Sequence, residues 1–235
     1  MNTGDTAFMM ICAALVFFMT PGLAFFYGGL VRRKNVCNTI MACVAIMGLS
    51  VVMWTLFGYS LSFGGNHAGI IGDFRWFGLN GVGMEAGPYA DSIPHLVFCA
   101  FQMMFAMITP ALITGSLVGR MKFKALFLFV AIWSVIVYYP MTHMVWGDGG
   151  FLAAIGSVDF AGGDVVHISS GISALVLAII LGRRRGYEHT TYRIHNIPSV
   201  VLGASLLWFG WFGFNAGSAL KADGLALGKG VLICN

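Results

Sequence analysis

The sequence predicts an all-α, polytopic helical membrane protein, on three observations. Hydrophobic residues make up 58% of the 235 residues and charged residues only 9%. A soluble domain carries about 25% charged residues, so this chain could not cover its own surface in water, and a bilayer is the solvent that suits it. Six apolar stretches are each long enough to span. The basic residues between them alternate in density, as loops on opposite sides of a membrane do.

The expected spans are 6–31, 39–63, 95–119, 125–146, 163–181 and 198–219. A helix rises about 1.5 Å per residue, so some 20 residues cross the hydrocarbon core. No Asp, Glu, Lys or Arg lies well inside any stretch. The N-terminus carries Asp5 and has no Lys or Arg before Arg32. It lacks the basic region of a secretory signal, and the first stretch reads as a retained helix. The long connection 64–94 is Gly-rich and holds Asp73, Arg75, Glu85 and Asp91, as a water-facing loop should. Arg32, Arg33 and Lys34 follow the first span, Arg120, Lys122 and Lys124 the third, and Arg183, Arg184, Arg185 and Arg193 the fifth. That places ten of the thirteen Lys and Arg on one side, with only Arg75, Lys221 and Lys229 on the other. The positive-inside rule then puts the basic loops in the cytoplasm and the N-terminus outside. Each basic cluster reads first as a topology anchor and second as a phosphate or regulatory-partner site.

The net charge of +4 comes with no basic run interleaved with aromatics, so nucleic acid is not an expected partner. Cys12, Cys37, Cys43, Cys99 and Cys234 have no metal-ligand spacing. No nucleophile constellation or acid pair supports catalysis, so no enzyme, metal or cofactor is expected.

His167 is the only titratable residue clearly inside a span beyond its boundary turn. Such a group is costly in hydrocarbon and is a functional candidate by default; the alternative is a histidine bonded to a neighbouring helix. It stands about one turn, roughly 6 Å, from the start of its span. Phe101, Phe105, Ile108 and Leu112 follow i, i+4, i+7, i+11 and share one helical face, a pattern that packing alone also produces. Phe214 and Ser218 share a face of span six, where Gly213 and Gly217 form a small-xxx-small pair that permits close helix contact. Trp146 ends span four, where an aromatic belt residue is common. Asp159 precedes span five and could cap that helix or lend negative potential to a cation site. Asp148 and Asp164 lie nearby without a separate role.

Four motifs then resemble a family. Thr20-Pro21-Gly22-Leu23-Ala24-Phe25-Phe26-Tyr27-Gly28-Gly29, His143-Met144-Val145-Trp146-Gly147, the run from Asp159 to His167 (DFAGGDVVH) and the run from Gly210 to Ala219 (GWFGFNAGSA) look like the ammonium transporter (Amt) family, nearer its bacterial Amt branch than its Rhesus branch. The resemblance implies roles for residues at matching positions. Trp146, Phe105 and Ser218 match an outer ammonium recruitment site, with Phe101 in the same aromatic wall and Asp159 as its supporting acid. Phe105 and Phe214 match paired gate rings, and His167 matches the first of two pore histidines. Ile108 and Leu112 fall where the family lines a narrow apolar pore.

The resemblance also implies a plasma-membrane homotrimer that cytoplasmic PII signal proteins can block. Family members have about eleven spans, ten of them forming two five-helix repeats of inverted topology around the pore. The chain matches the first five-helix repeat plus one helix of the second, and from about Gly228 it does not read as a seventh span. Two functions are therefore expected to compete. One is ammonium transport by recruitment, deprotonation and passage through an apolar pore. The other is a non-conducting fragment or ammonium-sensing membrane module. The basic residues divide ten to three, which locks one orientation and predicts that the chain alone does not conduct.

Overall fold

The computed structural model describes residues 1–184, 186–187, 191–226 and 228. Arg185, Lys229 and Cys234 lie outside the described residues. Among these residues six helical segments are long and apolar enough to cross a membrane. The protein is all-α and multi-pass, apart from one small hairpin at an end of the bundle.

Helix α1 (Thr3–Leu30) starts where the Asn2 side chain accepts hydrogen bonds from Gly4 N (2.8 Å) and Asp5 N (3.3 Å). These satisfy N–H groups that the first helical turn cannot. Helix α2 (Val36–Met53) runs through a π-helical turn at Trp54–Gly58 into α3 (Tyr59–Phe63). Helix α4 (His95–Leu117) is the most enclosed of the six, with both Phe101 and Phe105 buried. Helix α5 (Phe123–Trp133) runs through a second π-helical turn at Ser134–Tyr138 into α6 (Tyr139–Trp146). The first irregular turn meets the start of α6: a Cβ at Gly58 would lie 2.6 Å from the Tyr139 ring. After the short α7 (Phe151–Ala154), a third π-helical turn at Gly163–Ile168 opens α8 (Ser169–Leu181). Helix α9 (Ile197–Gly217) completes the bundle.

The most extensive interface joins α1 to α9, antiparallel. Glycines bring the two backbones together. A Cβ at Gly203 would lie 2.6 Å from Gly22 O, and one at Gly213 2.8 Å from Cys12 O. Without a hydrophobic drive between helices in lipid, close packing of this kind is what holds them. Helices α8 and α9 leave one flank open, where Ile172, Leu175, Ile179 and Ile180 of α8 and Trp208 and Phe209 of α9 are exposed.

The connection 64–94 is tightly tied to one end of the bundle. It carries the hairpin β1 (Ala86–Gly87) and β2 (Ala90–Pro94), whose strands are too short to register as periodicity in sequence. Tyr89 Oη donates to Phe63 O at 2.8 Å, and Tyr59 Oη and His95 Nε2 lie 2.5 Å apart. Asp73 Oδ1 accepts from Gly65 N at 2.9 Å, and its Oδ2 pairs with Arg75 Nε at 3.1 Å. Burial alone would raise the Asp73 carboxyl, but backbone N–H groups of Arg75 and Gly65 and the Arg75 guanidinium outweigh it and hold it below the ordinary carboxylate range. Asn2 N donates to Ser92 O at 2.6 Å, so the N-terminus lies at this same end, where Asp5 Oδ1 also accepts from Ala222 N at 3.0 Å. The opposite end gathers the basic residues. There Arg120 donates to Gly182 O at 2.7 Å, and Arg32 and Arg184 both approach the Tyr192 ring.

Candidate functional site: an aromatic pocket at one end of the bundle

A pocket of about 350 Å³ opens at the end that carries connection 64–94. Three predicted elements build it. Helix α4 supplies Phe105, α6 ends on Trp146 at its rim, and α9 ends beside Ser218. The Phe105 and Trp146 rings stand 5.8 Å apart and perpendicular, at 89°. Two π faces thus border one small volume, the arrangement that attracts a desolvated cation. Beneath them Phe105 and Phe214 pack at 4.4 Å between centroids, and both are buried. Phe101 stands 5.0 Å from Phe105 and is buried behind it rather than on the pocket wall. A Cβ at Gly217 would lie 2.6 Å from the Phe101 ring, so the small residue of α9 makes room for that aromatic.

Asp159 caps the helix through its side chain and holds the pocket wall through its backbone. Its carboxylate accepts four backbone N–H groups, from Gly162 (2.5 Å), Gly163 (2.8 Å), Asp164 (2.8 Å) and Val165 (2.9 Å). These are the orphan donors where the Gly163–Ile168 turn begins. Its carbonyl accepts Trp146 Nε1–H at 2.9 Å, which fixes the indole on the pocket wall. Ser218 Oγ donates to Phe214 O at 2.9 Å. Its hydrogen is thereby used, and only lone pairs remain for a guest.

Below the rings His167 lies 6.1 Å from Phe214 and stacks on Trp211 at 5.8 Å, 13° from parallel. It is exposed on the open flank rather than enclosed among the described residues. Ile108 is buried in the core, and Leu112 packs against it half-buried, its carbonyl accepting the Tyr27 hydroxyl at 2.9 Å. Neither borders the pocket. Among the described residues there is no metal-binding cluster of His, Cys, Asp or Glu.

Sequence reasoning missed several residues here. Tyr89, Phe98, Gln102 and Phe160 also line the pocket. Gln102 Oε1 is buried with no hydrogen-bond partner. Phe98, Gln102 and Phe105 follow i, i+4, i+7, so the one side-chain amide of span three could have been read on the pocket face. Trp211 precedes Phe214 by three positions and shares its face by the same rule. Tyr89 had no such signal, because only the folded hairpin brings it there.

A multi-pass helical protein with a small pocket at one end, lined by Phe105, Trp146, Asp159 and Ser218, is, by class, a polytopic membrane protein with a candidate ligand site at one mouth of its bundle. The family model for the Ammonium Transporter Family matches residues 7–233. This chain belongs to that family. It is 51% identical over 227 residues to an ammonium transporter of Bacillus subtilis, covering 97% of this chain and 55% of the relative. It is 44% identical over 235 residues to ammonium transporter Amt1 of Archaeoglobus fulgidus, covering 100% and 57%. Among solved structures, Candida albicans Mep2 matches with a TM-score of 0.87 at 32% identity, covering 97% of this chain and 50% of that one. A protein described as a sensor Amt protein matches with a TM-score of 0.84 at 30% identity, covering 94% and 56%. The chain spans about half the length of the curated relatives it matches.

Proposed function

We propose that this chain forms the outer ammonium recruitment site and the first wall of the conduction path of an ammonium transporter. The observation that carries the reading is the pairing of two perpendicular aromatic walls with a serine oxygen that can only accept. Burying a bare ammonium ion costs many kcal/mol. Each aromatic face offsets up to about 2 kcal/mol when desolvated. Ammonium has only donors to offer and suits Ser218 Oγ. Potassium is of similar size and charge but has no proton to donate, so the same oxygen does less for it.

On this reading ammonium gives up a proton near Phe105 and Phe214, yielding neutral ammonia and one proton. Ammonia then follows the apolar wall that includes Ile108 and Leu112, while His167 relays proton or substrate onward. Support for these steps is positional: His167 lies 6.1 Å from Phe214 and does not border the pocket. The same reading puts the N-terminus outside a plasma membrane and the basic end in the cytoplasm, supported by the gathering of basic residues at one end. A homotrimer that takes a PII signal protein at that end belongs to it too, and rests on the family resemblance.

Calorimetry on the purified chain tests the reading. Ammonium should bind, potassium should not displace it, and Ser218→Ala and Trp146→Leu should each weaken binding. Displacement by potassium at equal concentration would sink it. A second reading, an ammonium-sensing module, draws on the likeness to the sensor Amt protein. Binding without uptake in any assembled form would favour it.

A further inference from the structure

The end of the bundle opposite the aromatic pocket holds a cavity of about 580 Å³, bordered by Arg32, Lys34, Arg120, Lys122, Arg183 and Arg184. These cations come from three connections far apart in sequence, so tertiary folding brings them together. Arg32, Arg120 and Arg184 are half-buried, where solvent screens their mutual repulsion less than at an open surface. Among the described residues no Asp or Glu lines the cavity. Glu188, the one carboxylate in connection 182–196, lies outside the described residues, and one negative charge would still leave a large positive surplus.

Several of these cations are held in place. Arg120 Nη1 donates to Gly182 O at 2.7 Å and to Ala178 O at 3.3 Å, and its Nη2 donates to Ser116 O. It clamps the end of α8 to the end of α4, while its Nε is buried without an acceptor. The guanidiniums of Arg32 and Arg184 lie 5.0 Å and 4.9 Å from the centroid of the same Tyr192 ring. A guanidinium held beside an aromatic ring loses some of its freedom, and its fork of N–H donors can meet two oxygens of a phosphate. Sorting topology by charge needs only a number of cations on one side. It needs neither a cavity nor guanidiniums held by backbone carbonyls and an aromatic ring.

We propose that this cavity is a binding site for a phosphate-class anion, either the phosphodiester headgroup of an anionic lipid or a soluble phosphate. Arg184 and Lys122 contact the anion, and Arg120 acts as a positioning residue for the α8 end of the cavity. The site is separate from the ammonium pocket and does not depend on the function proposed for it.

The test uses the purified chain, with Arg184→Gln and Lys122→Gln as variants. Lys124→Gln is the control, a lysine two positions on, in the first turn of α5 and outside the cavity. Native mass spectrometry compares retention of phosphatidylglycerol with phosphatidylcholine, and equilibrium dialysis measures inorganic phosphate. Losing one charge-assisted contact should weaken binding by about tenfold. The expected result is a preference for phosphatidylglycerol that Arg184→Gln and Lys122→Gln each reduce by that factor and Lys124→Gln leaves unchanged. Phosphate binding with the same dependence on the variants, and no lipid preference, also supports the site and names a soluble ligand. Equal retention of both lipids with no phosphate binding overturns the proposal. So does an equal loss in Lys124→Gln, because diffuse charge alone would then explain the binding. Lys122 is exposed, so its variant keeps the test decisive even if Arg184→Gln does not fold.

Discussion

Trp146 supplies one face of the pocket and is held there by its bond to the Asp159 carbonyl. Trp146→Leu keeps the site apolar and removes both. A desolvated cation–π contact of up to about 2 kcal/mol corresponds to roughly thirty-fold in affinity. Ammonium binding measured by calorimetry should weaken by up to that factor, with no loss of folded protein. Asp159→Asn separates capping from recruitment. An amide keeps one acceptor oxygen where the carboxylate shares four N–H bonds between two. Leaving buried donors unpaired costs about 1–3 kcal/mol, so the melting temperature should fall by several degrees, with the larger effect on stability than on ammonium affinity. Trp146 and Ser218, which line the pocket, were legible in the sequence because they sit in long ordered motifs. Tyr89 and Phe160 were not, since they reach the pocket through irregular connections that no periodicity marks. The division of labour within Asp159 was also hidden. Spacing allowed a cap or a cation site, and only the four N–H contacts to its carboxylate favour the cap.

Close packing between α1 and α9 is the element on which the pocket depends, because α9 carries Phe214 and Ser218. Gly203 faces the α1 backbone at Gly22 O and Phe26 N. Gly203→Leu would drive a side chain into backbone that cannot yield as a flexible side chain does. Overpacking of this kind costs about 1–3 kcal/mol or more. The expected outcome is a lower melting temperature and a shift toward aggregate on size-exclusion chromatography, while Gly48→Ala, with nothing within 4 Å, should change neither. The spans themselves were readable from hydropathy, since twenty apolar residues have few other uses. The π-helical turns at Trp54–Gly58 and Ser134–Tyr138 were not. A helix that is apolar on every side has no stripe whose drift could betray one inserted residue. The hairpin in connection 64–94 escaped for a related reason, as two and five residues are too few to show an alternation.

At the scale of the whole molecule, charge and enclosure decide what the chain can do. The basic residues gather at one end through contacts such as Arg120 to Gly182, which sequence could suggest only as a count per loop. Cys37 is the one exposed free cysteine among the described residues and lies beside that end. A membrane-impermeant maleimide should therefore label Cys37 in intact cells only after permeabilisation; labelling without it would reverse the orientation. Conduction is a separate question. A path for neutral ammonia has to be walled on every side, and here His167 is exposed on a flank formed by α8 and α9. Lipid against that flank would leave the histidine facing hydrocarbon, not a continuous pore. An inverted second copy could supply the missing wall, as inverted repeats do within one chain. Ten of the thirteen Lys and Arg follow the first, third and fifth spans in sequence, however, and such a bias opposes insertion in the opposite sense. The 235 residues alone should therefore bind ammonium at the outer pocket and leave methylammonium uptake in transporter-null cells at background. Saturable uptake that Trp146→Leu abolishes would show that these helices enclose a path by themselves or in pairs, and the argument from the open flank would fail.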